Sequence, residues 1–100
     1  MEIKITKEGK KTFAVLSGRL DTTNAAQFQT DIQPLMDDQE PDIEFDCTDM
    51  EYTSSQGLRL FLMLQKNVNA RKGQMVMKNM KSQVKEVFDI TGFSNIIKIV

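Results

Sequence analysis

The sequence predicts a small α/β domain: a mixed sheet of about five strands, with helices mainly on one face, in the order β-β-α-β-α-β-α-β. Three observations carry this. The hydrophobic period switches repeatedly between two and about 3.6 along the chain. From residue 11 onward strand and helix patterns alternate, which calls for parallel neighbours joined by crossover helices. The polar halves of residues 2–6 and 42–46 leave one sheet face wet, so helices cover the other.

Each element has its own signal. Ile3 and Ile5 alternate with Glu2, Lys4 and Thr6, which gives a first strand. Phe13 to Leu16 is continuously apolar and reads as a more central strand. Ala25, Phe28, Ile32 and Leu35/Met36 recur at helical spacing and predict an amphipathic helix from about 22 to 36. Pro34 lacks a backbone donor and should bend or end that helix near Asp31–Gln33. Ile43, Phe45 and Cys47 alternate with Asp42, Glu44 and Asp46, a strand with one dry face that buries the Cys47 thiol. Leu58, Phe61, Leu62, Leu64 and Val68 mark a strongly apolar helix. Arg71 and Lys72 suit its negative end, and Gly73 is placed to take the left-handed conformation there. Met75–Met77 is a short strand. Val84, Val87 and Phe88 form a third helix closed at Gly92, and Ile96 to Val100 a last strand. Leu62 and Phe88 are expected in the core.

Composition bounds the chemistry. One hundred residues, 40% hydrophobic and 27% charged, fit one compact domain over 1–100, and no linker, repeat or low-complexity tract divides it. No histidine is present, so Ser-His-Asp and Cys-His triads and any His-containing metal site are excluded. A single cysteine, Cys47, allows no internal disulfide and fits a reducing compartment. A net charge of -1 and few aromatics argue against direct nucleic-acid binding. Residues 1–9 have no apolar h-region, and the longest apolar run, Leu60 to Leu64, is too short for a bilayer, so a cytoplasmic location without membrane contact is expected. The chain is expected not to be an enzyme and to carry no cofactor or metal of its own.

Charge is unevenly placed: residues 1–70 hold 7 Lys/Arg and 12 Asp/Glu, residues 71–100 hold 6 and 2. Asp31, Asp37, Asp38, Glu40, Asp42, Glu44, Asp46, Asp49 and Glu51 run without a base between them, either as a solvated rim or as an electrostatic docking surface. Lys78, Lys81 and Lys85 with Arg71 and Lys72 make a basic patch. Asp46, Asp49 and Glu51 lack the ligand spacing of a calcium loop and read as solvated.

Two segments read as strand-to-helix loops opening on one sheet edge, residues 17–23 and 49–57. Ligand and partner sites of α/β folds favour that carboxyl edge. Asp21, Thr22 or Thr23, and Ser54 or Thr53, are candidate N-caps for the helices that follow. Capping does not account for three hydroxyls in a row at the mouth of the longest helix. A helix N-terminus favours an anion, which makes Ser55 a plausible phosphoacceptor.

Gly18-Arg19-Leu20-Asp21, Tyr52-Thr53-Ser54-Ser55-Gln56-Gly57-Leu58-Arg59 and Phe88-Asp89-Ile90-Thr91-Gly92-Phe93 together resemble the three signature segments of STAS-domain anti-sigma factor antagonists. The resemblance spans essentially the whole chain. It implies that Ser55 is the regulatory phosphoserine and that Asp21 is the loop aspartate beside it. Ser54 precedes the phosphoserine, and Gln56 stands where the family commonly has a small residue. The implied function is partner switching: the unmodified protein binds an anti-sigma factor that is also a serine kinase. Phosphorylation of Ser55 ends that binding, and a metal-dependent serine phosphatase restores it. Asp21, Thr22, Thr23, Ser54, Ser55, Gln56 and Arg59 would form the partner surface, while ATP and metal belong to the kinase and phosphatase. The competing readings are a STAS scaffold or ligand-binding domain that is never phosphorylated, and a small hydrolase built on Asp46, Asp49 and Glu51.

Overall fold

A computed structural model describes residues 1–37 and 40–100. Asp38 of the acidic run lies outside the described residues. Five strands form one sheet: β1 (Glu2–Glu8), β2 (Lys11–Leu20), β3 (Asp42–Thr53), β4 (Gln74–Lys78) and β5 (Lys98–Ile99). Their spatial order is the chain order. β1 and β2 form an antiparallel hairpin, and β2, β3, β4 and β5 run parallel. The crossovers are α1 (Ala25–Asp31), α2 (Ser55–Ala70) and α3 (Ser82–Ile90). Successive right-handed crossovers that always step the same way along a sheet put every helix on one face.

The dry face of the sheet carries Ala14, Leu16, Ile43, Phe45, Cys47, Met75 and Met77, all buried. Phe61 of α2 is the hub of the core. Its ring centroid lies 5.4 Å from Phe28, 5.9 Å from Phe45 and 6.1 Å from Phe88, so one side chain joins all three helices to the central strand. Phe88 is fully buried as expected. Leu62 is only half-buried. The inward stripe of α2 runs through Leu58, Phe61, Leu64, Gln65 and Val68, and Leu62, one residue past Phe61, is turned about 100° onto its flank.

On the wet face Glu44 pairs with Lys11 at 3.1 Å and Lys78 at 3.0 Å, tying β2, β3 and β4 side by side. The Lys78 ammonium, followed by that of Lys11, holds the Glu44 carboxyl below its ordinary range. Glu51 pairs with Lys81 at 3.5 Å. Glu44 and Glu51 of the acidic run are thus matched within the fold by Lys78 and Lys81 of the basic patch.

Several boundaries differ from the sequence reading. β3 continues to Thr53 and β2 to Leu20, so most of the two expected loops is strand. β3 bulges twice against β2, with Asp46 to Asp49 opposing Val15 to Ser17 and Met50 to Tyr52 opposing Gly18 to Arg19, so the β3 alternation breaks. Thr48 and Asp49 are both exposed before buried Met50, and that interruption of the two-residue period hides the continuation. α1 begins at Ala25 and ends at Asp31 rather than spanning 22–36. Pro34 then sits in the first turn of a 3-10 segment, Gln33–Met36, so the break falls where proline dictates.

At the end of α2 it is Lys72, at φ 61°, that takes the left-handed conformation. Lys72 N donates to Asn69 O at 3.0 Å and Gly73 N to Val68 O at 2.9 Å, the paired bonds of a Schellman cap. Gly73 is needed for another reason: a Cβ there would lie 2.2 Å from Pro41 O. The last strand shortens to two residues because Phe93–Asn95 forms a 3-10 turn before it. Among the described residues no helix is long and apolar enough to cross a membrane.

Candidate functional site

The carboxyl ends of β2 and β3 lie side by side, with Leu20 opposite Thr53. Ser54 alone separates β3 from α2, and its N–H donates to Leu20 O at 2.8 Å. The first turn of α2 is pressed onto this junction. A Cβ on Gly57 would stand 2.5 Å from Thr53 Oγ1 and 2.7 Å from Leu20 Cδ2, so only glycine lets the helix sit this close.

The three hydroxyls here are in different states. Thr53 is buried, and its Oγ1 donates to Ser54 O at 3.2 Å. Ser54 is the N-cap, with Oγ accepting from Gly57 N at 3.2 Å, as capping chemistry requires. Ser55 is the first residue of α2 and is exposed; its hydroxyl has no hydrogen-bond partner among the described residues. Gln56 and, one turn on, Arg59 are exposed beside it. A hydroxyl in that position is open to a reagent, and the free amides and dipole of a 16-residue helix favour negative charge on it.

Residues 21–24 close a small turn on the same edge. Asp21 Oδ1 accepts from Thr23 N at 3.0 Å and from Thr23 Oγ1. Asn24 Oδ1 accepts from Asp21 N at 2.9 Å, while Asn24 Nδ2 donates to Arg19 O at 2.8 Å. The two Thr23 bonds hold the Asp21 carboxyl below its ordinary range, helped by the Asn24 backbone and the charge of Arg19. Asp21, Thr22 and Thr23 do not cap α1. Asn24 occupies its N-cap position without a side-chain cap bond, because its amide is spent on the turn. Thr22 is exposed. Asn24 escaped the sequence reading, although an Asn directly before the apolar-periodic Ala25 is a helix-start signal.

A second missed feature is the contact between Arg19 and Tyr52. The guanidinium carbon lies 4.4 Å from the centre of the Tyr52 ring. They are register partners on adjacent strands, a proximity that residues 33 apart in sequence cannot reveal without the strand pairing.

The segment 88–93 does not join this site. It closes α3 and leads into the start of β5, at the amino edge of the sheet, with Phe88 in the core and Gly92 left-handed at φ 80°. Among the described residues no group of His, Cys, Asp and Glu could hold a metal ion. Asp46 Oδ1 instead accepts from Thr48 N at 3.0 Å and Thr48 Oγ1 at 2.6 Å, bracing the β3 bulge.

The STAS domain model matches residues 3–100. The chain belongs to the STAS-domain anti-sigma factor antagonist family. It is 30% identical over 99 residues to BtrV of Bordetella bronchiseptica, named for anti-sigma factor antagonism, covering 99% of this chain and 85% of that one. The anti-sigma-B factor antagonist of Bacillus subtilis is 30% identical over 84 residues, covering 84% and 76%. The fold matches unphosphorylated SpoIIAA, an anti-sigma factor antagonist, with a TM-score of 0.79 at 17% identity, covering 99% of this chain and 88% of that one. It also matches the phosphorylated form of SpoIIAA, a Bacillus cell fate determinant, with a TM-score of 0.73 at 17% identity, covering 99% and 91%.

Proposed function

We propose that this STAS domain is a binding module that antagonises an anti-sigma factor serine kinase in the cytoplasm and is switched off when that kinase phosphorylates Ser55. Ser55 carries the reading: of three adjacent hydroxyls at the mouth of α2, it alone is exposed and unpartnered. Family membership supplies the anti-sigma partner, and SpoIIAA is a relative known in phosphorylated and unphosphorylated forms.

The switch is local. Phosphorylation adds about -1.5 to -2 charges, and the helix N-terminus tolerates them, so the domain keeps its fold. A partner covering residues 21–23, 54–56 and Arg59 must instead strip water from that phosphate. At an effective dielectric near 20, unit charges about 10 Å apart interact by roughly 1.7 kcal/mol, so a doubly charged group opposes the complex by a few kcal/mol, or about a hundredfold in affinity. A serine phosphatase then restores binding.

The test is a pull-down from the cell's own cytosol with wild type and Ser55→Ala, followed by incubation of the purified kinase with ATP. A mass gain of one phosphate at Ser55, lost binding after it, and constitutive binding by Ser55→Ala are the expected results. Ser55→Asp, with one charge and no tetrahedral bulk, should weaken binding less than the phosphate does. Equal affinity of modified and unmodified protein, or modification at Thr53 or Ser54, overturns the reading.

A further inference from the structure

We propose that Arg19 and Tyr52 act as one recognition unit that takes a carboxylate from the anti-sigma partner; this rests on the partner-switching reading above. Arg19 is exposed, and its guanidinium makes no hydrogen bond or ion pair among the described residues. Yet it is not a loose surface cation, because it is stacked on Tyr52 at 4.4 Å. Lys11, Lys78 and Lys81, by contrast, are each paired with a glutamate of the fold.

The backbone is shaped to hold Arg19 there. Gly18 stands at φ 91°, and the register between β2 and β3 shifts between Gly18 and Arg19, so that Arg19 skips Glu51 and faces Tyr52. A Cβ on Gly18 would meet nothing closer than 3.8 Å, so the positive φ, not crowding, is what asks for glycine. The Arg19 carbonyl is tied down by Asn24 Nδ2 at 2.8 Å. Bulges next to functional edges re-aim side chains in this way.

The chemistry selects the ligand. A guanidinium offers five donors in a planar fork that matches a carboxylate bidentately, and stacking removes most of the ordering cost before the partner arrives. Tyr52 remains 37% exposed beside it, and Tyr and Arg are the residue types that anchor interface centres. The unit is continuous with the site edge, since Tyr52 precedes Thr53 and Ser54 directly, and the charge of Arg19 reaches Asp21.

The probe is the purified kinase whose transfer to Ser55 tests the proposed function, with affinity measured by calorimetry. Arg19→Glu should weaken binding about a hundredfold and Tyr52→Ala about tenfold, while Tyr52→Phe stays within about twofold because stacking survives. Arg19→Lys should lose about tenfold, since a point charge cannot replace the fork. Melting temperatures should stay close to wild type. With the Arg19→Glu protein as the varied substrate, Ser55 phosphorylation by the kinase should keep its kcat while KM rises. In a scan of the kinase's surface carboxylates, one Asp or Glu to Lys change should restore binding to Arg19→Glu. Wild-type affinity in Arg19→Glu, with Ser55 phosphorylation intact, overturns this inference alone, as does a scan in which no reversal rescues. Failure of the wild-type protein to bind the kinase overturns it together with the function it rests on.

Discussion

Thr53, Ser54 and Ser55 share one functional group and differ only in what surrounds it. The first is buried under the helix, the second closes the helix end, and the third faces solvent. The division of labour predicts separable effects. Ser54→Ala should cost about 1 kcal/mol through the lost cap, lowering Tm by about 4–8 °C for a domain of this size, while phosphorylation at Ser55 persists. Loss of phosphorylation with unchanged stability would reverse the two roles. Cys47 gives a second test at this scale. Burial, then the charge of Asp46, pushes its thiol up to about 12. Folded protein at pH 8 should therefore resist a thiol-reactive dye that labels it fully in urea. A thiol raised above its unfolded value favours folding below about pH 8.5, and that contribution fades as pH climbs toward 12. Fast labelling of the native state would show that the dry face opens. Cys47 was readable from sequence by its phase with Ile43 and Phe45. The Arg19–Tyr52 contact was not, because only strand pairing brings those residues together.

The ends of α2 show how much of an element a sequence discloses. Its apolar stripe announces the helix, but the inward face and the closing residue are set by neighbours. Phe61 touches three other aromatic rings, so Phe61→Ala should cost about 3–5 kcal/mol. Leu62→Ala, on the half-buried flank, should cost less than half as much, by denaturant titration. Equal losses would mean that the flank is as tightly packed as the centre. At the other end the cap geometry predicts opposite signs for two adjacent changes. Lys72→Gly relieves a left-handed side-chain residue and should stabilise by up to about 1 kcal/mol. Gly73→Ala puts a methyl against Pro41 O and must displace backbone, so it should destabilise. Composition had favoured Gly73 for the left-handed position. The approach of Pro41, 32 residues earlier, decides otherwise, and no local pattern contains it.

At the scale of the sheet, charge ties β2, β3 and β4 together laterally on the wet face. Glu44 bridges Lys11 and Lys78 from neighbouring strands, and both cations hold its carboxyl below its ordinary range. A carboxyl lowered on folding adds stability above its ordinary value, about 4.3, and loses it as pH falls through the folded value. Glu44→Gln should therefore melt below wild type at pH 7 and together with it near pH 2, and added salt should narrow the neutral-pH gap. A gap that persists in acid would assign the effect of Glu44 to packing. Strand and helix order was legible because each period was intact for at least one face. The lengths of β2 and β3 were not: bulges at 47–48 and Glu51 break the β3 alternation where the site is built, and Ser17-Gly18-Arg19 gives β2 no apolar signal there.

One residue connects β3 to α2, and that brevity decides what kind of signal the domain can send. A joint with no slack cannot swing, so a charge placed on Ser55 has nowhere to move the chain. Information written there stays on the surface, like ink on a rigid tag, and is read by whoever docks next. Under the proposed switch, the dead time is set by the enzymes that would write and erase the phosphate. The domain itself adds no delay, and stopped-flow fluorescence after dephosphorylation should show rebinding at the speed of encounter, with no slower folding phase behind it.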